Sequence, residues 1–170
     1  DLWTQEWRWA DITWYMVYTK DYFHPYLAGV AYYDKPLLSY WLMILSSHLF
    51  GGASGFSLRF PSVCAGLLVI WCTYKLGEFL VNRRVGFIAG WMLISTYYFV
   101  FWARVANADM LNLSGIMLAV LWYFTHRAKP RFGSYFGFFL ILAITALFKG
   151  LIGVVIPILV ILPDLISKNR

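Results

Sequence analysis

The sequence predicts an all-α, polytopic membrane protein with about five transmembrane helices preceded by two interfacial, juxtamembrane helices. Of its 170 residues, 61% are hydrophobic and only 13% charged, against roughly 25% charged in soluble domains. The mean hydropathy is +0.65. Residues 85–103, 110–126 and 132–148 contain no Asp, Glu, Lys or Arg, and each is close to the ~17–25 residues that cross a bilayer as a helix.

The first 35 residues mix polar groups with rings: Trp3, Trp7, Trp9, Trp14, Tyr15, Tyr18, Tyr22 and Phe23 among them. Amphipathic rings of this kind collect at the headgroup level. At about 100° per residue, Trp3, Trp7, Trp14 and Tyr18 share an arc of about 60°. This predicts a short interfacial helix over 5–19, ending before the turn signals His24-Pro25 and Gly29. Pro36 suits the first turn of a second helix, which Gly51-Gly52 stops near 50. With about fifteen good helical residues it is short for a span, and a surface or partly embedded helix is expected.

Five spans are expected next, over 56–79, 84–103, 110–126, 132–148 and 151–167. The implied division is 1–55 as an extracytoplasmic loop with interfacial helices and 56–170 as the transmembrane domain of a longer chain, with an upstream span expected as well. Cations sort across this topology. Lys75, Arg83, Arg84, Arg127, Lys129, Arg131, Lys168 and Arg170 fall on one side with only Glu78 and Asp164. The other side holds Arg8, Lys20, Lys35, Arg59, Arg104 and Lys149 with six carboxylates, Asp1, Glu6, Asp11, Asp21, Asp34 and Asp109. The cation-rich side is cytoplasmic by the positive-inside rule. The formal net charge of +6 is thereby explained without nucleic acid as a partner. Cys64 and Cys72 lie about 12 Å apart along one helix at 1.5 Å per residue, too far to form a disulfide.

The remaining polar clusters therefore meet at one face. Glu6, in Gln5-Glu6-Trp7-Arg8, reads either as a first-turn acid that favours the helix dipole or pairs with Arg8, or as a base or orienting group for an acceptor. Asp34, beside Lys35 and Pro36, reads as a helix cap or as a metal ligand or charge anchor, with Lys35 holding a phosphate. Asp109 is placed to cap the helix that begins at Met110. Arg104, five residues earlier, adds a cation at membrane depth, where charge is costly and usually functional. Lys149 before Gly150 is either part of a helix C-cap or a phosphate partner. His24 and His48 lack a second ligand at metal-like spacing and read as structural.

These clusters, in this order, resemble the polytopic lipid-linked-sugar transferases that include bacterial aminoarabinose transferases and protein O-mannosyltransferases. Glu6-Trp7-Arg8-Trp9-Ala10 is similar to the family's Pro-Asp-Glu-x-Arg-Tyr-Ala segment. Tyr33-Asp34-Lys35-Pro36 with Tyr40-Trp41 resembles its second signature. Phe50-Gly51, Arg59-Phe60-Pro61-Ser62, the 104–109 loop and Phe148-Lys149-Gly150 follow at familiar separations. The resemblance implies the large-membrane-domain glycosyltransferase fold in a bacterial inner membrane. It implies transfer of a sugar, with inversion, from a polyprenyl-phosphate donor to a lipid, glycan or protein acceptor at the extracytoplasmic face. It further implies Glu6 and Asp109 as catalytic acids, Lys35, Arg104 and Lys149 as donor-phosphate partners, and Asp34 as ligand to a divalent metal ion.

Gln5 stands where the family has Asp, and an amide cannot serve as a general base. Either Glu6 takes that role, or this branch uses another acceptor, or the protein is not an active transferase. A non-catalytic membrane protein, a transporter or a lipid-binding relative, is the competing reading. Transporters place polar sites near the midplane, whereas these clusters lie at one interface.

Overall fold

The computed structural model describes residues 2–3, 5–128 and 131–168. Eight helices follow in order: α1 Glu6–Thr19, α2 Leu38–Leu49, α3 Gly55–Leu80, α4 Arg83–Ser95, α5 Tyr97–Ala103, α6 Ala108–His126, α7 Phe132–Lys149 and α8 Ile152–Lys168. Between α1 and α2 lies a small hairpin that the sequence did not suggest, β1 Tyr26–Leu27 paired antiparallel with β2 Val30–Ala31. Its turn residues Ala28 and Gly29 both have positive φ, 50° and 80°, the backbone of a tight two-residue hairpin.

α1 and α2 begin and end within two residues of expectation. Trp9, Ile12 and Met16 of α1 face inward, while Trp7, Trp14 and Tyr18 are exposed, so the aromatic arc lies on the outer face. The inner face packs on Tyr40, Met43 and Ile44 of α2, and that core also takes in Leu58, Ala106 and Ala108. The amino-terminal segment is thus anchored on one end of the helical bundle.

α3 starts at a reciprocal cap: Ser54 Oγ accepts from Ser57 N and Ser57 Oγ accepts from Ser54 N. Pro61 within α3 has no N–H to give the Ser57 carbonyl. The hydroxyl of Ser46 on α2 donates to that carbonyl at 2.6 Å, which ties α2 to α3 where the helix ladder is interrupted.

Two spans differ from expectation. The 84–103 run is broken at Thr96 into α4 and α5, which meet at a 73° bend. Ser95 Oγ and Thr96 Oγ1 both donate to Met92 O, at 2.9 and 2.8 Å, and such back-bonding competes with the helix ladder. α8 is apolar, but its 17 residues reach only about 25 Å at 1.5 Å each, short of the ~30 Å hydrocarbon core. Among the described residues, three helices, α3, α6 and α7, are long and apolar enough to cross a membrane, or up to four if the bent pair counts as one. The protein is an integral membrane protein.

α4 lies against α3 through glycine. A Cβ on Gly86 would sit 2.4 Å from Tyr74 O and 2.8 Å from Glu78 N, both backbone atoms that cannot move aside. Close approach at small residues is the usual basis of helix association in lipid. Gly86→Ala is therefore expected to push α4 off α3 and cost about 1–3 kcal/mol in detergent melting. Gly133→Ala, where a Cβ meets nothing within 4 Å, serves as the control that should leave melting unchanged or slightly raised. Equal melting of the two variants would show that α4 does not pack this closely.

Candidate active site

One end of the bundle carries the amino-terminal segment, the start of α3, the 104–107 loop, and the α7–α8 turn. The opposite end carries Lys75 with Glu78, and Arg127 with Asp164. Asp1, Lys129, Arg170 and the side chain of Lys168 lie outside the described residues. The other sequence-predicted site residues lie at the first end.

Glu6 is completely buried. Its Oε1 accepts from Arg59 Nε and Ala106 N, both at 2.8 Å. Its Oε2 accepts from Arg59 Nη2 at 2.6 Å and Trp3 N at 2.7 Å. Burial alone would raise the carboxyl pKa, but the Arg59 hydrogen bonds and the two backbone N–H groups outweigh it, and the pKa is lowered. A carboxylate with four donors on two oxygens and no solvent contact does not fit the role of acceptor base. It holds together α1, α3 and the 104–107 loop. The partner is Arg59, not the neighbouring Arg8 that helix pairing suggests. Gln5, the family's Asp position, is exposed.

Asp34 does not cap α2, whose N-cap residue is Leu37 with no side-chain cap. Its Oδ2 instead lies 2.8 Å from Lys35 Nζ and accepts from the Tyr32 hydroxyl at 2.9 Å. These two hydrogen bonds, Lys35 first, lower its pKa. Arg8 Nη1 in turn donates to Tyr32 Oη at 3.1 Å, so Arg8, Tyr32, Asp34 and Lys35 form a chain of polar contacts. The Tyr40 hydroxyl is buried with no hydrogen-bond partner among the described residues. Burial, helped by Tyr32 and Asp34, pushes this phenol above its ordinary range.

Asp109 is not the N-cap of α6. Asn107 is, with its Oδ1 accepting from Asp109 N at 2.9 Å. Asp109 stands in the first turn with its side chain partly exposed, and it forms an ion pair with Lys149 across 40 residues of sequence. Gly150, at a positive φ of 75°, ends α7 directly after Lys149. Arg104 closes α5, is exposed, and pairs with no carboxylate among the described residues. Ser39 Oγ donates to Phe148 O at 3.4 Å, joining the first turn of α2 to the end of α7. The Asp34–Lys35 and Asp109–Lys149 pairs thus lie on elements that are bonded to one another.

His24 pairs with Asp21 and His48 bonds to Ile44 O. Among the described residues no group of three or more His, Cys, Asp or Glu could hold a metal ion. Asp34 is engaged by a lysine and a tyrosine. These residues do not by themselves make a metal centre.

A family model described as dolichyl-phosphate-mannose-protein mannosyltransferase matches residues 34–170. The chain belongs to this family. The chain is 32% identical to an undecaprenyl phosphate-alpha-4-amino-4-deoxy-L-arabinose arabinosyl transferase of Aeromonas salmonicida, over 99% of this chain and 32% of that protein. Proteins of the same name from Aeromonas hydrophila and Yersinia enterocolitica are 29% and 30% identical, each over 99% of this chain and 32% and 31% of theirs. The chain spans about a third of the length of these relatives. Its fold matches ArnT from Cupriavidus metallidurans bound to undecaprenyl phosphate, with TM-score 0.87 at 18% identity over 99% of this chain and 32% of that one. The apo form matches with TM-score 0.84 at 19% identity, over 97% and 32%. The polytopic glycosyltransferase fold expected from the sequence is therefore present.

Sequence reading missed Arg59, Tyr32 and Asn107 as parts of the site. Arg59 carried a signal, since an arginine one turn inside a spanning helix is costly unless paired. Asn107 carried a weaker one, as a strong N-cap residue type just before the α6 pattern. Tyr32 was one ring among many in an aromatic segment.

Proposed function

We propose that the full-length protein transfers a sugar, with inversion, from a polyprenyl-phosphate donor to a hydroxyl or phosphate acceptor at the extracytoplasmic face of a bacterial inner membrane. The observation that carries this reading is the Asp109–Lys149 pair, a carboxylate and an ammonium brought together from two helix ends at the face that also holds Lys35 and Arg104. The names of the curated relatives and the undecaprenyl phosphate bound to the structural relative support the same donor class.

In this reading the donor phosphate competes with Asp109 for Lys149. Capture of the ammonium by the lipid phosphate uncovers the carboxylate beside the acceptor. Asp109 then accepts the acceptor's proton while the acceptor oxygen bonds to the anomeric carbon. The bond from that carbon to the phosphate oxygen breaks, and the lipid phosphate leaves with the electron pair. Lys35, Arg104 and Lys149 stabilise the departing phosphate, and the sugar passes through oxocarbenium character. Glu6 acts as the organiser of the 104–107 loop. A groove of about 350 Å³ lined by Leu42, Leu45, Pro61, Leu68, Leu111 and Phe148, the residue before Lys149, offers an apolar path suited to the donor's isoprenoid chain.

The test is steady-state transfer by the full-length protein in vesicles containing undecaprenyl-phosphate-linked aminoarabinose, with a lipid glycan as acceptor. Lys35→Ala and Lys149→Ala are each expected to raise the donor KM by about 10-fold or more, the loss of one charge-assisted contact. Unchanged donor KM in both variants would remove these lysines from the site. A second reading, a lipid-binding relative without transferase activity, is motivated by exposed Gln5 in the acidic position. Tight donor binding with no transfer to lipid, glycan or protein acceptors would favour it.

A further inference from the structure

We infer that Asn107 is the positioning residue for the Asp109 carboxylate, an assignment that rests on the reading of Asp109 as the acceptor base. Asn107 is buried, 4% exposed, and sits where the loop enters α6. Its amide makes two bonds to the same residue. Oδ1 accepts from Asp109 N at 2.9 Å, and Nδ2 donates to Asp109 Oδ2 at 3.2 Å. Its own backbone is held from both sides: Ser62 Oγ on α3 donates to Asn107 O at 3.4 Å, and the preceding Ala106 N–H is fixed on Glu6.

Helix capping needs only the acceptor half of this amide. The donor half has no part in the helix and is directed at the carboxylate. Lys149 bonds Asp109 Oδ1, so Asn107 and Lys149 hold one oxygen each. When a lipid phosphate draws Lys149 away, the Asn107 bond to Oδ2 remains and keeps the carboxylate oriented. A carboxylate oxygen has a second lone pair, so Oδ2 can still accept a proton while Nδ2 holds it. The Glu6–Arg59 pair then acts on catalysis at second hand, by fixing the backbone from which Asn107 reaches Asp109.

Asn, Asp and Ser are about equally good N-caps, which separates the two roles. In Asn107→Asp the shape and the capping oxygen are kept, but a carboxylate replaces the donor and faces Asp109. In Asn107→Ser the hydroxyl takes the capping position and falls an atom short of Oδ2. The full-length protein in vesicles, with undecaprenyl-phosphate-linked aminoarabinose as donor, should show kcat lowered about 10-fold for Asn107→Ser and about 100-fold for Asn107→Asp, the scale of a misplaced catalytic group. For Asn107→Ser, donor KM and the melting temperature should stay near the parent's. Equal kcat in all three proteins, or losses that follow melting, would reduce Asn107 to a cap and overturn the inference. Asp109→Asn is run beside them. If Asp109→Asn retains full kcat, the base reading itself fails, whereas an inactive Asp109→Asn together with a fully active Asn107→Asp overturns the positioning role alone.

Discussion

Asp109→Asn is expected to lower the turnover of the full-length protein by about 10²–10⁴-fold, the usual contribution of a positioned general base, with donor KM little changed. The substitution keeps the shape of the side chain and its place in the first turn of α6, and an amide can still accept from Lys149. What it removes is the lone pair that takes the acceptor's proton. Folding should survive, because the pair it weakens is partly exposed, with side chains 36% and 42% accessible. Ion pairs in that setting are worth about 0–1 kcal/mol. A loss of turnover with unchanged melting therefore reports on chemistry. Turnover within twofold of the parent would remove Asp109 from the mechanism.

Arg59→Ala should have the largest effect on stability, about 3 kcal/mol or somewhat more. Glu6 has no access to solvent, so removing its cation strands a charge in the interior. Arg59 is itself a third exposed, which places the cost at the low end of the range for buried pairs. Arg59→Lys should recover only part of the loss, since an ammonium cannot reproduce the two-pronged contact with Oε1 and Oε2. The deficit should also depend on pH. The Glu6 carboxyl pKa is lowered in the fold, so its stabilisation is complete above the ordinary carboxylate range and is lost as pH falls through the lowered folded value. The parent thus loses at acid pH what the variant already lacks, and the gap in melting between Arg59→Ala and parent should narrow from pH 7 toward pH 3. A gap that is absent at pH 7, or that widens on acidification, would contradict a charged, buried Glu6.

The two predictions separate roles that the sequence assigned together. Glu6 and Asp109 both read as acids at an extracytoplasmic face, and nothing in their local sequence distinguishes them. Burial does: the first is enclosed by four donors, the second keeps solvent contact and a displaceable lysine. The same holds for capping. Asp34 and Asp109 each read as helix caps, yet Asp109 lies inside the first turn of α6, whose cap is Asn107, and the N-cap position of α2 is Leu37, which makes no side-chain cap bond. An offset of two or three residues decides whether a carboxylate is consumed by backbone N–H groups or left for a ligand, and sequence spacing does not resolve so small a shift at a helix end.

Local composition was enough for much of the architecture. Trp7, Trp14 and Tyr18 face outward on α1 as their periodicity requires, while Trp3 lies before the helix and packs edge-on against Phe101 and Trp102; Gly51-Gly52 ends α2. The sorting of charge around apolar runs placed Glu6, Asp34, Lys35, Arg104, Asp109 and Lys149 at one end of the bundle. These features depend on each residue's own transfer free energy and on a 3.6-residue period, both of which are properties of the chain alone. The bend at Thr96, the glycine contact of α4 with α3, the Arg59–Glu6 pair, the Ser46 bond to the carbonyl freed by Pro61, and the grip of Asn107 on Asp109 came only with the tertiary structure. Each depends on which donor arrives from a distant part of the sequence to meet a group that its neighbours leave unsatisfied, and that is set by packing.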